Sequence, residues 1–77
     1  MMNITIYTMP KCEACERTKM WLDEQGFGFN EVDITEDEEA MELVKSRGYN
    51  QAPVVSINQF EDSWSGFRQD KLNSLLQ

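Results

Sequence analysis

From residue 12 to residue 25 the chain runs without a glycine or a proline, and segments of strand character stand on either side. Few folds accept that arrangement in so short a chain. Residues 3–8, NITIYT, alternate polar and apolar and carry β-branched side chains, which predicts a strand that Pro10 stops. Residues 12–25 predict a helix closed by Gly26 as its C′ glycine, with Ala14, Cys15, Thr18, Trp21, Leu22 and Gln25 near one side. Residues 29–33 predict a second strand. One helix and a few loop residues join the two strands, so they must pair in parallel through a right-handed crossover.

The remaining chain adds a helix, a hairpin and a last helix. Thr35 and Glu38 stand at capping-box spacing for a second helix that Gly48 closes. Acidic residues crowd its first turn and Lys45 and Arg47 sit near its end, as the helix dipole favours. Ala40, Leu43 and Val44 supply its buried face, with Met41 beside them. Residues 53–58 predict a third strand, with Pro53 at the start, where no ladder donor is needed. Residues 58–62 form a polar turn, and Ser63 and Trp64 a short edge strand. Ser65 and Gly66 open a final helix through Leu76, with Phe67, Lys71, Leu72, Leu75 and Leu76 on its inner side. The order is βαβαββα: an α/β, thioredoxin-like layout, with a four-stranded mixed sheet and helices on both faces. Residues 1–77 form a single domain without repeats or linkers.

Charge and composition exclude several functions. Seven basic and fourteen acidic residues give a formal charge of −7, which opposes nucleic acid and anionic lipid. No stretch of about 18 apolar residues offers a membrane span. The start, MMNITIYTMP, lacks the basic and apolar regions of a signal peptide, so a cytoplasmic monomer is expected. The absence of histidine removes the commonest general base and metal ligand.

Both cysteines lie in PKCEAC, behind the first strand. A structural zinc site takes four Cys or His ligands, and this chain has two Cys and no His, so no metal is expected. A permanent staple across so short a loop gains little chain entropy, and a reducing cytosol would open it. A redox pair fits better. Residues i and i+3 lie one helical turn apart, at a separation a disulfide accepts. Cys12 at the helix start meets the positive end of the dipole, which favours a thiolate. Cys15, one turn in, is buried and stays protonated until needed. Cys12 and Cys15 are thus the candidate catalytic residues, as attacker and resolver. Lys11 favours the Cys12 thiolate, while Glu13 and Glu16 oppose it. A rival class, a protein-binding module in which the dithiol is incidental, keeps its place here.

ITIYT before the cysteines, Gly26-Phe27, Gln51-Ala52-Pro53-Val54-Val55 and Trp64-Ser65-Gly66-Phe67-Arg68 together resemble the NrdH-redoxin branch of the glutaredoxin group. The resemblance spans essentially the whole chain. It implies a carrier with no bound cofactor that receives electrons from NADPH through a flavin-dependent thioredoxin reductase. Its acceptor would be class Ib ribonucleotide reductase, and both partners would bind transiently. Glutathione is the alternative reductant. The resemblance also implies that Pro53 is a cis-proline against the cysteine pair and that the Ala52 backbone pairs with an incoming polypeptide. By the resemblance, Trp64, Ser65, Gly66 and Phe67 line a groove beside Cys12. Read from the residues alone, Trp64 and Phe67 suit core and edge packing equally well, and Ser65-Gly66 a helix cap. Asp62 and Asp70 near that turn would oppose an anionic tripeptide. Glu13-Ala14 between the cysteines, Gln69 after Gly-Phe-Arg and Met9-Pro10-Lys11 depart from the usual branch pattern.

Overall fold

The computed structural model describes residues 2–77. Met1, where the predicted domain range begins, lies outside them. Strand β1 (Ile4–Thr8) puts Ile4, Ile6 and Thr8 on one buried face and leaves Thr5 and Tyr7 half-buried on the other. It pairs in parallel with β2 (Asn30–Asp33) and antiparallel with β3 (Val54–Ile57), which pairs antiparallel with β4 (Asp62–Ser65). The sheet order β2-β1-β3-β4 makes β1 and β3 central. All of β3 is therefore buried, with a strand on each edge and helices over each face.

Helix α1 (Glu13–Glu24) connects β1 to β2 and sends Leu22 into a core with Ile4, Ile6, Val55, Ile57, Trp64 and Leu72. Leu72 belongs to α3 (Gln69–Ser74), so α1 and α3 cover the same face. Ile6, Leu22, Val55 and Leu72 are 0% exposed. Each such side chain contributes about 1.5–3 kcal/mol through burial. Helix α2 (Glu38–Ser46) covers the other face. Just past its end the Tyr49 hydroxyl bonds Ser63, whose neighbour Trp64 points into the first face. The element order and the mixed, doubly covered sheet agree with the sequence reading.

Both long helices close as their glycines predict. Gly26 and Gly48 take φ of +81° and +88°, and the next residue folds back onto the last turn. The Phe27 N–H reaches the Leu22 carbonyl at 2.9 Å, and the Tyr49 N–H reaches Val44 at 3.1 Å.

Three local expectations are corrected. The cap of α2 is Asp37, whose carboxylate accepts the Ala40 N–H at 3.0 Å. Thr35 is unavailable because its N–H and hydroxyl both donate to Asp33. Leu43 is exposed, and Ala40 and Val44 alone are fully buried on that helix. The last helix begins at Gln69, not at Ser65-Gly66, because Ser65 pairs with Val54 as part of β4. It ends at Ser74 and leaves Leu76 55% exposed, off the inner side assigned to it.

Candidate active site

Three segments meet at the C-terminal end of β1. Thr8 lies opposite Asp33 of β2, and Tyr7 opposite Val54 at the start of β3. Pro53 therefore stands beside the point where the chain leaves β1 for Cys12. Ser65 pairs with Val54, and the Gly66 N–H donates to the Pro53 carbonyl at 2.8 Å. The sheet register thus gathers the cysteine turn, Ala52-Pro53 and the Gly66-Phe67 turn.

At the cysteine turn Lys11 takes a φ of +58°, and Cys12 follows with extended backbone as the N-cap of α1. An N-cap is usually an oxygen from Ser, Thr, Asp or Asn. Here a sulfur has that place: Cys12 Sγ accepts the Cys15 N–H at 3.1 Å. The Cys12 carbonyl accepts the Glu16 N–H at 3.2 Å, which starts the helix. Cys12 and Cys15 are joined as a disulfide, with Cα atoms 5.2 Å apart. The two sulfurs live in different surroundings. Cys15 is 1% exposed beneath the helix, whereas Cys12 is half-buried on an open groove with Lys11, Glu13, Glu16, Arg17 and Met20.

The other expected site residues divide. Pro53 is buried and the Ala52–Pro53 peptide is cis, as the resemblance implied. Ala52 is half-buried on the rim of an apolar hollow of about 270 Å³, with Met9, Met41 and Tyr49 also in its wall. Gly66 and Phe67 are half-buried at the same end of the sheet, and Phe67 packs against the core. Trp64 does not line the groove. It is 3% exposed inside the core, because strand alternation turns it inward opposite Val55. Ser65 is held in β4 and caps no helix. The Gly66 N–H is already committed to Pro53, so the turn does not present it to a ligand.

Charge at the turn also differs from the expectation. Arg68 holds Asp70 through paired hydrogen bonds of 3.1 and 2.9 Å, which keep its carboxyl below the usual range. Lys71 stands 4.0 Å from Asp62. Each acid that was set against an anionic ligand therefore faces a cation. Arg17 and Met20 went unnoticed in the sequence. Arg17 stands four residues after Glu13, a spacing that places both on one helical side and could have drawn attention to it.

Known proteins agree with this geometry. The glutaredoxin family model matches residues 4–60. The glutaredoxin-like protein NrdH of Escherichia coli K12 is 40% identical over 74 residues, covering 96% of this chain and 89% of that protein. The chain belongs to the glutaredoxin family, in its NrdH-type branch. The glutaredoxin-like protein NrdH of Lactococcus lactis subsp. cremoris is 38% identical over 72 residues, covering 94% of this chain and 97% of that protein. The structure of NrdH-redoxin from E. coli superposes with a TM-score of 0.89 at 40% identity, covering 95% of this chain and 93% of that one. That structure is described as the basis of a thioredoxin-like activity profile in a glutaredoxin-like protein. This NrdH-type redoxin is a thiol–disulfide oxidoreductase, and Cys12 and Cys15 are its disulfide-forming pair.

Proposed function

We propose that this redoxin is a dithiol electron carrier that reduces disulfides in proteins. In the reduced protein Cys12, as thiolate, attacks one sulfur of the partner's disulfide. A mixed disulfide forms and the partner's other sulfur leaves as a thiolate. Cys15 then loses its proton and attacks Cys12, releasing the partner's second thiolate. Two electrons pass to the partner, one proton leaves Cys15, the partner's two thiolates take up protons from solvent, and the Cys12–Cys15 disulfide remains. The observation that carries this reading is the asymmetry of the pair. Cys12 opens on a groove and receives a backbone N–H at a helix start, while Cys15 is 1% exposed one turn below.

The incoming chain pairs with the Ala52 backbone beside Pro53, a contact that reads main chain and so accepts many sequences. The hollow beside Ala52, about 270 Å³ and mostly apolar, suits an apolar side chain of a polypeptide better than glutathione. The donor is NADPH through a flavin-dependent thioredoxin reductase, and the acceptor is class Ib ribonucleotide reductase. The thioredoxin-like activity profile attributed to E. coli NrdH-redoxin supports that donor. The carrier acts as a cytoplasmic monomer with no bound cofactor.

The test is turnover of insulin under two reductants. NADPH with thioredoxin reductase is expected to drive it, and glutathione with its reductase to support little. Brisk glutathione-driven turnover would move the protein to the glutathione-dependent class. Cys12→Ser is expected to abolish turnover, and Cys15→Ser to stop after one mixed disulfide. Unchanged biological activity in a double Cys→Ser variant would point to a binding module instead.

A further inference from the structure

Seven basic residues stand on a chain of formal charge −7, and three of them are committed to ion pairs. Lys19 bridges Glu16 and Glu31 at 2.9 Å each, Arg68 holds Asp70, and Lys71 faces Asp62. Among the described residues, Lys11, Arg17, Lys45 and Arg47 form no ion pair. Two of these, Lys11 and Arg17, line the groove that holds Cys12.

Arg17 is placed by more than its backbone. Its guanidinium lies 5.9 Å from the centroid of the Phe67 ring. An arginine over an aromatic face keeps its in-plane N–H fork free to take a carboxylate by two parallel bonds. Of the two carboxylates on the groove, Glu16 is engaged by Lys19 and only Glu13 is without a cation. The groove therefore presents two uncommitted cations against one uncommitted carboxylate, on a molecule that is otherwise strongly acidic. Met20, 60% exposed, adds an apolar wall beside them.

We propose that Arg17 makes the Cys12 groove selective for protein disulfides flanked by an acidic side chain, with Lys11 as the second cation. The proposal rests on the carrier reading above and names its substrate class. Arg17 lies five residues beyond Cys12, about 7.5 Å along the helix axis. An extended peptide covers that distance in about two residues, so the preferred acid stands about two positions from the attacked cysteine. Arg17 does not touch the reacting sulfurs and is a specificity-determining residue.

The test uses two disulfide-closed peptides that differ only by Asp or Asn two positions from one cysteine. Turnover is coupled to NADPH and thioredoxin reductase at low and high salt. The wild type is expected to show a KM about fivefold lower for the Asp peptide at low salt, as one exposed charge pair gives, and the gap should shrink with salt. Arg17→Gln is expected to bring the two KM values together, and Arg17→Lys to keep part of the difference. A third substrate, the Asn peptide carrying a glutathione mixed disulfide, separates the carboxylates of glutathione from those of a protein. Wild-type turnover of the Asn peptide reads the carrier assignment by itself, and failure on both peptides overturns both readings. Turnover without an Asp preference, or a preference that survives in Arg17→Gln, overturns the role of Arg17 alone. So does a loss in Arg17→Gln confined to the glutathionylated peptide.

Discussion

The two ends of the sheet carry turns of the same kind held in opposite ways. Residues 58–60 turn between β3 and β4 with positive φ throughout: +51° at Asn58, +59° at Gln59 and +69° at Phe60. Lys11 makes the turn into Cys12 with a φ of +58°. A non-glycine residue in that region costs about 1–2 kcal/mol. At the hairpin the cost is offset by contacts. Asn58 exchanges bonds with Asn3 at 2.8 and 2.9 Å, and Ser56 Oγ accepts the Phe60 N–H at 2.9 Å. The Phe60 ring stacks on Tyr7 at 5.8 Å, with Arg47 over it at 4.6 Å. At the cysteine end the Lys11 side chain is exposed on the groove. Among the described residues it has no hydrogen bond and no ion pair. The strain at residues 58–60 is offset by contacts, whereas the strain at Lys11 stands beside a reactive group without them, the setting in which strained residues cluster at functional sites.

That contrast can be broken in several places. The largest effect comes from removing the core on which both ends rest. Trp64→Ala is expected to cost about 3–5 kcal/mol, enough to abolish a cooperative thermal transition. Trp64→Phe should cost far less, since it keeps most of the ring and removes an Nε1 donor that has no acceptor among the described residues. Equal losses would show that Trp64 does not act through packing.

At the pinned end, Phe60→Ala should lose about 1.5–2.5 kcal/mol in denaturant melts, roughly half the value of a fully buried ring. Ser56→Ala should lose about 1 kcal/mol by freeing the Phe60 N–H. At the open end the sign reverses. Lys11→Asn should gain about 0.5–1 kcal/mol, because asparagine accepts that φ more readily. A Lys11→Asn protein less stable than the wild type would mean that contacts do hold the lysine.

The smallest effect is alkaline. Burial first, and then Asp37, raise the Tyr7 phenol above its usual range, against a smaller opposing pull from Arg47. The Lys19 ammonium is also raised, by hydrogen bonds to Glu16 and then Glu31. A raised folded pKa gives stability that is whole below the unfolded value and is lost as pH climbs through the folded one. Melting temperature should therefore hold to about pH 10 and fall above it. Tyr7→Phe should flatten only part of that fall.

How much the sequence disclosed follows from how local each signal is. Gly26 and Gly48 closed their helices because a C′ glycine acts within one turn. The placement of the cysteines at a helix start needed only the strand before them and the unbroken run after. The start of α3 was misplaced because Ser65 and Gly66 are held by Val54 and Pro53, about a dozen residues away in the chain and visible only once the sheet pairs. Trp64 suits the groove by resemblance and the core by its apolar ring, and strand alternation decides for the core. The Arg17–Phe67 contact joins residues fifty positions apart, and no local pattern encodes it.

The central claim is that the two sulfurs differ in kind. The direct measurement is brief alkylation of the fully reduced protein with iodoacetamide near neutral pH, followed by peptide mapping. The account predicts that Cys12 is labelled first and that Cys15 stays unlabelled while the fold is intact. Labelling of Cys15 first, or of both at equal rates, would contradict it.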